Sequence, residues 1–138
     1  MAALAAAKII TNKYLRRTQR YLMKASTTIY AGGMVSLDAN GLALPASDTA
    51  TDKGVVGLAL QTVTSAASGS YYVECEEGVF LLAGSSLTQA GQGGKVTIVD
   101  DQTVGLAAGT TNDITAGILV EYVSATSGWV DIGPAHLI

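Results

Sequence analysis

The chain has 138 residues, enough for one domain and for a real hydrophobic core without cross-links. It is 49% apolar and only 14% charged, with net charge −3, well below the roughly 25% charge of ordinary soluble domains. Its single cysteine, Cys75, excludes an internal disulfide and the paired-thiolate metal and redox motifs.

The charge is unevenly placed. Residues 1–24 hold Lys8, Lys13, Arg16, Arg17, Arg20 and Lys24 and no acid, a net of +6; the remainder sets Lys53 and Lys95 against all 11 acids, a net of −9. This divides the chain into a basic N-terminal arm, residues 1–24, and an acidic body, residues 25–138. Ile10, Tyr14, Leu15, Tyr21 and Leu22 are loosely helix-spaced in the arm, but Arg17 and Thr18 interrupt the stripe, and helical and extended forms stay open. A basic, partly apolar arm suits nucleic acid, an anionic membrane or an acidic protein surface. Its tyrosines and aliphatics are more than a solvated tail needs, so a docking arm is expected. With Lys8 after the apolar run of the first residues, the N-terminus makes a poor secretion signal. No stretch reaches the roughly 20 apolar residues of a membrane span. The expected place of synthesis is therefore a cytoplasm.

From Lys24 onward the pattern is short strands and turns. Residues 27–30 read as a strand, 31–33 as a turn, and 34–38 (MVSLD) as a strand of period two. Asn40-Gly41 predicts a type I′ hairpin turn, with 42–45 as the return strand. After a polar loop, 55–64 (VVGLALQTVT) reads as one long strand and 65–69 as a flexible connection. Residues 71–80 alternate, with Tyr71, Val73 and Cys75 on one face and Tyr72, Glu74 and Glu76 on the other; Gly78 predicts a bulge before 79–83. Residues 84–94 form a loop with a helical turn near 85–91, followed by strands at 95–99, 102–107, 115–123 and 128–132. Strands at this spacing predict an all-β barrel or sandwich.

Chemistry is hard to find in this sequence. His136, the only histidine, reads as a terminal surface residue. Asp100-Asp101 reads as a turn, and Glu74, Glu76 and Glu77 as a solvated strand face that could also receive a neighbour's basic arm. The Gly-rich 91–94 precedes a strand and so lacks the helix N-terminus that cradles phosphate. Trp129 reads as core or subunit interface. No catalytic, metal or cofactor residues are assigned, and no enzyme is expected.

Five blocks, at 25–50, 54–63, 73–83, 95–104 and 116–132, resemble in order the capsid decoration (cement) proteins of tailed bacteriophages, particularly the Mu-like group. The resemblance covers roughly residues 20–133. It implies a small β-barrel or β-tulip-like domain with an extended N-terminal arm. The implied protein works as a homotrimer on the exterior of the virion, binding the major capsid protein at three-fold and quasi-three-fold junctions. It stabilises the shell without cofactor, membrane or direct nucleic-acid contact, and is made in the bacterial host cytoplasm. The expected capsid-binding residues are Lys8, Ile10, Lys13, Tyr14, Leu15, Arg16, Arg17, Arg20, Tyr21, Leu22 and Lys24, with Asn40 and Gly41 as a structural turn. Competing expectations are another virion component (head fibre base, tail component or adhesin), a nucleic-acid-binding protein using the arm, and a small β-barrel enzyme.

Overall fold

The computed structural model describes residues 2–10, 12–67 and 70–137, with the side chains of 12–16 outside that description. The strands are β1 (Asn12–Leu22), β2 (Thr28–Ile29), β3 (Met34–Leu37), β4 (Ala43–Pro45), β5 (Val55–Ala59), β6 (Val63–Thr64), β7 (Tyr72–Ser85), β8 (Lys95–Asp100), β9 (Thr103–Leu106), β10 (Thr115–Ser124) and β11 (Ser127–Ile132). Two short 3-10 turns, Gln89–Gly91 and Pro134–Leu137, complete the described elements. The protein is a small all-β domain.

Everything hangs on β7, whose 14 residues pair with four other strands. β1 and β11 both claim Gly78–Phe80, so they lie along opposite edges. Going round from β7 through β9, β8, β10 and β11, the last pairs back onto β7 and closes a five-stranded barrel. In the other direction the sheet runs β7-β5-β3-β4, where Ala43 meets Met23, the residue after β1, in a parallel bridge. The Lys24 N–H donates to the Ala43 carbonyl at 2.9 Å and the Met23 N–H to that of Tyr71 at 2.8 Å. Since β1 is already paired to β7, this contact closes a second loop of strands.

Each loop encloses its own apolar core. Phe80 and Leu82 of β7 enter the first core, with Val96, Ile98, Leu119 and Val130. Val73 and Cys75 of the same strand enter the second, with Met23, Ile29, Val35 and Ala43. β7 is paired residue by residue from 72 to 83 without an extra residue. Odd and even side chains of an unbroken strand point to opposite faces, so the cores lie on opposite faces of β7. The long strand is thus the shared wall of an S-shaped sheet.

This arrangement explains why β3 and β5 are buried on both faces. Met34, Val55 and Leu58 face the first core, while Val35, Val56 and Ala59 face the second. Gly57 sits where β5 presses on β7: a Cβ there would lie 2.8 Å from the Glu76 carbonyl oxygen. The polar position of the alternating 34–38 run, Ser36, is fully buried, contrary to the half-solvated strand expected. Its hydroxyl donates to Asp52 Oδ2 at 3.0 Å, and Ser47 Oγ donates to the same oxygen at 3.2 Å. A buried hydroxyl that keeps a hydrogen-bond partner avoids most of its desolvation penalty.

Three local expectations change. The 38–42 hairpin is not type I′, because Gly41 has φ +78° but Asn40 is not in the positive-φ region. The Gly41 N–H donates to the Asp38 carbonyl, and the Asp38 N–H donates to that of Leu42. This is a three-residue loop of type I turn plus left-handed glycine. Asp38 Oδ1 reinforces it by accepting from the Asn40 and Leu42 N–H groups. The run 55–64 breaks after Ala59, since β6 leaves the main sheet to pair with β2. Gly78 does not bulge β7; the extra residues are Lys13 and Arg16 on the partner β1. The connection 65–69 lies partly outside the described residues, at Ser68 and Gly69.

Candidate functional site

The basic arm is extended, but from Asn12 to Leu22 it lies along its own chain as β1. Its register sets Arg20 opposite Glu74, Thr18 opposite Glu76 and Arg17 opposite Glu77. The acidic strand face therefore receives this chain's own basic strand. Arg17 Nε reaches Glu77 Oε2 at 2.7 Å, and the Arg20 guanidinium lies 4.3 Å from the centre of the Tyr72 ring. Tyr14 and Leu15 pair in backbone register with Val79 and Gly78; the side chains of Lys13, Tyr14, Leu15 and Arg16 lie outside the described residues. Ile10 packs on the first core and Tyr21 on the second. Burial raises the Tyr21 phenol above its ordinary pKa, with Cys75 adding to the shift and Arg17 opposing it. Lys24 is exposed.

The first residues are also tied down. The Lys8 N–H donates to the Ala31 carbonyl at 2.8 Å, and the Leu4 N–H donates to Asp101 Oδ1 at 2.6 Å. Gln102 Nε2 donates to the Ala2 carbonyl. Asp101 is 2% exposed, and burial raises its carboxyl pKa, the Leu4 N–H and Lys8 opposing and Asp100 adding. Asp100 Oδ2 is buried without a hydrogen-bond partner among the described residues. The Asp100-Asp101 pair does form the β8–β9 turn, as its sequence suggests, and it also anchors the N-terminal segment.

Several other titratable groups are engaged within the scaffold. His136 is half-buried in the C-terminal turn, with Nε2 3.3 Å from Asp131 Oδ2, where the sequence reading put a surface residue. Neighbouring Leu137 packs on the second core. Cys75 is buried, which pushes its thiol up to about 12. Asp113 accepts from the Ala108 N–H and from Lys95 Nζ, and these bonds hold its carboxyl below the usual range. A shallow depression of about 340 Å³ lies beside the turn at 89–91, walled by Thr88, Ala90, Gly91, Gly94, Lys95 and Leu106. Its polar groups are engaged, Thr88 Oγ1 with the Gly91 N–H and Lys95 with Asp113. Among the described residues no three His, Cys, Asp or Glu side chains gather as a metal site would require.

Apart from Ile9 near the N-terminus, 91% exposed, the uncovered large apolar side chains among the described residues fall in two places. One is at the start of β7, where Tyr71 and Tyr72 are 44% and 47% exposed and Leu22, directly opposite Tyr72, is 36% exposed. The other is on β10, where Val120 and Val123 are 44% and 51% exposed. Both valines are the extra residues at shifts in the β10–β11 register, so the ladder leaves each unmatched across the strand. Between them Glu121 pairs in register with half-buried Trp129, and Trp129 with Leu81 of β7. Sequence reasoning singled out Trp129, Leu22 and Tyr72 but not the two valines, whose alternation looked like ordinary strand. No protein-family model matches this chain, and no curated protein matches it significantly.

Proposed function

We propose that this protein is a structural component of a tailed-bacteriophage head, a decoration protein that binds the outside of the capsid and reinforces it by contact alone. The observation that carries the reading is the pair of uncovered apolar patches on a charge-poor, doubly closed β scaffold. Exposed apolar patches rimmed by polar groups mark interaction surfaces. The ordered sequence blocks resembling phage decoration proteins point to the partner, the major capsid protein, and to a homotrimer at the three-fold junctions. A rigid domain presenting several copies of a modest contact gains avidity from each added copy. Arg17 and Arg20 of the basic segment engage β7, so part of that segment is built into the domain and the domain face carries the contact, with exposed Lys24 near it.

The test is co-sedimentation with undecorated, expanded heads, followed by heat challenge. The expected result is stoichiometric binding at three copies per three-fold site and heads that survive to higher temperature. Protein that stays in the supernatant would overturn the reading and shift it to a tail or fibre component.

A further inference from the structure

The segment before β1 lies across the body without joining its sheets. Residues 2–8 form no strand. Among the described residues they are held by Gln102 Nε2 on the Ala2 carbonyl, by the Leu4 N–H on Asp101 Oδ1 and by the Lys8 N–H on the Ala31 carbonyl. Of their side chains only Leu4 and Lys8 are half-buried; the alanines between and before them are exposed. The seat beneath is nonetheless shaped for them. A Cβ at Gly32 would run into the Lys8 carbonyl, and one at Gly33 would lie 2.8 Å from Leu4 Cδ1. The same Cβ would lie 3.5 Å from Asp101 Oδ2, so Leu4, the glycine turn and the buried carboxyl meet at one point. Asp100 Oδ2, on the same β8–β9 turn, is buried without a hydrogen-bond partner among the described residues.

We infer that residues 2–8 are a proton-operated latch, held on the Gly32-Gly33 cradle while Asp101 is protonated and loosened as Asp101 ionises. The Leu4 N–H and Lys8 favour the carboxylate, whereas burial and the neighbouring Asp100 favour the neutral acid. Burial is the largest of these, and the net is a carboxyl pKa above its ordinary value. The 31–34 segment packed behind the latch carries no titratable side chain. A protonated carboxyl still offers the Leu4 N–H an acceptor oxygen. Closing therefore takes up a proton. It is strongest below the ordinary carboxylate range and weakens as pH climbs to the folded midpoint, by at most about tenfold per pH unit for one proton; above the midpoint it is level. A segment with so few contacts can open without the cores. Its pivot is exposed Ile9, since Ile10 packs on the first core. The latch goes beyond the decoration reading and does not depend on it.

Amide exchange of the full chain, followed by NMR and corrected for intrinsic rates, tests this. Protection of the Leu4 and Lys8 amides should fall as pH rises through the Asp101 midpoint, while the paired amides of β5 and β7 stay protected. Asp101→Asn should abolish that pH dependence. Leu4→Pro deletes the donor and lies outside the sheets, so the domain should fold as before. In it the Lys8 amide should lose protection at every pH. The Asp101 carboxyl, followed by its carbon-13 shift, should then titrate nearer the ordinary value, because water reaches it. Loss of the Leu4 bond under a latch that stays shut would move the midpoint the other way, upward. That upward shift would overturn the inference. So would wild-type protection that ignores pH, or Leu4 and Lys8 amides that exchange only together with those of β7.

Discussion

Replacing one side chain in each core tests whether the two cores are one cooperative unit. Phe80 is fully buried in the first core, and truncation to alanine is expected to cost about 4 kcal/mol. Val73 is fully buried in the second. Val73→Ala removes two methyl-sized groups at ~0.8 kcal/mol each and leaves a small cavity, about 2 kcal/mol together. At ~3 °C per kcal/mol for a chain of this length, the melting temperature should fall by about 12 °C and about 6 °C respectively. Because β7, β5 and β3 are walls of both cores, neither can melt alone: each variant should show one calorimetric transition, with van't Hoff and calorimetric enthalpies equal. The two sites lie about 23 Å apart along β7, so the double variant should lose the sum within ~0.5 kcal/mol. A Val73→Ala protein that melts in two steps, or a Phe80→Ala protein in which the second core's signals persist above the main transition, would refute the shared-wall account.

Asp101 has a raised pKa in the folded protein, so the folded state binds its proton more tightly than the unfolded chain does. Its contribution to stability is full below the ordinary carboxylate pKa and is lost as pH rises through the folded value. Asp101→Asn keeps an acceptor for the Leu4 N–H while removing the buried charge; it should melt higher than wild type at pH 7, and the gain should shrink on acidification. A lower melting point at pH 7 would show that the charged Leu4–Asp101 bond dominates. At Gly41 there is open space for a side chain, and only the positive φ resists one. Gly41→Val should therefore destabilise by about 1 kcal/mol or more and Gly41→Asn by less; equal melting points for the two would contradict this turn geometry. Cys75 is buried with its thiol held protonated, so a thiol reagent at mildly alkaline pH should label the native protein only as fast as it unfolds. Immediate labelling would place Cys75 at the surface.

Local pattern was a good guide wherever the pairing is local. The strands around Asn40-Gly41 and the final pair β10–β11 both lie close to where the residue types put them, because propensity and turn chemistry act over a few residues. The failures share a cause in long-range packing. Ser36 looked like a solvated position because its partner Asp52 lies 16 residues away. The basic segment looked like a free arm because its acidic complement, Glu74 to Glu77, lies about 60 residues further on. β3 looked half-buried because its alternation does not announce a core on each side, whereas the apolar run of β5 does suggest burial on both faces. The exposed valines of β10 depend on a register set jointly with β11.

The position of β7 midway along the chain also orders events during synthesis. Apart from Leu137, the second core is built from residues up to Cys75, so that half can close soon after β7 leaves the ribosome. Until Lys95–Ile132 have followed, Met34, Leu58, Phe80 and Leu82 form an apolar sheet face with no cover. The nascent protein thus passes through a half-built state that is ordered on one side and adhesive on the other, and chains stalled near residue 120, with β7 clear of the ribosome, should be captured by chaperones more readily than chains released whole.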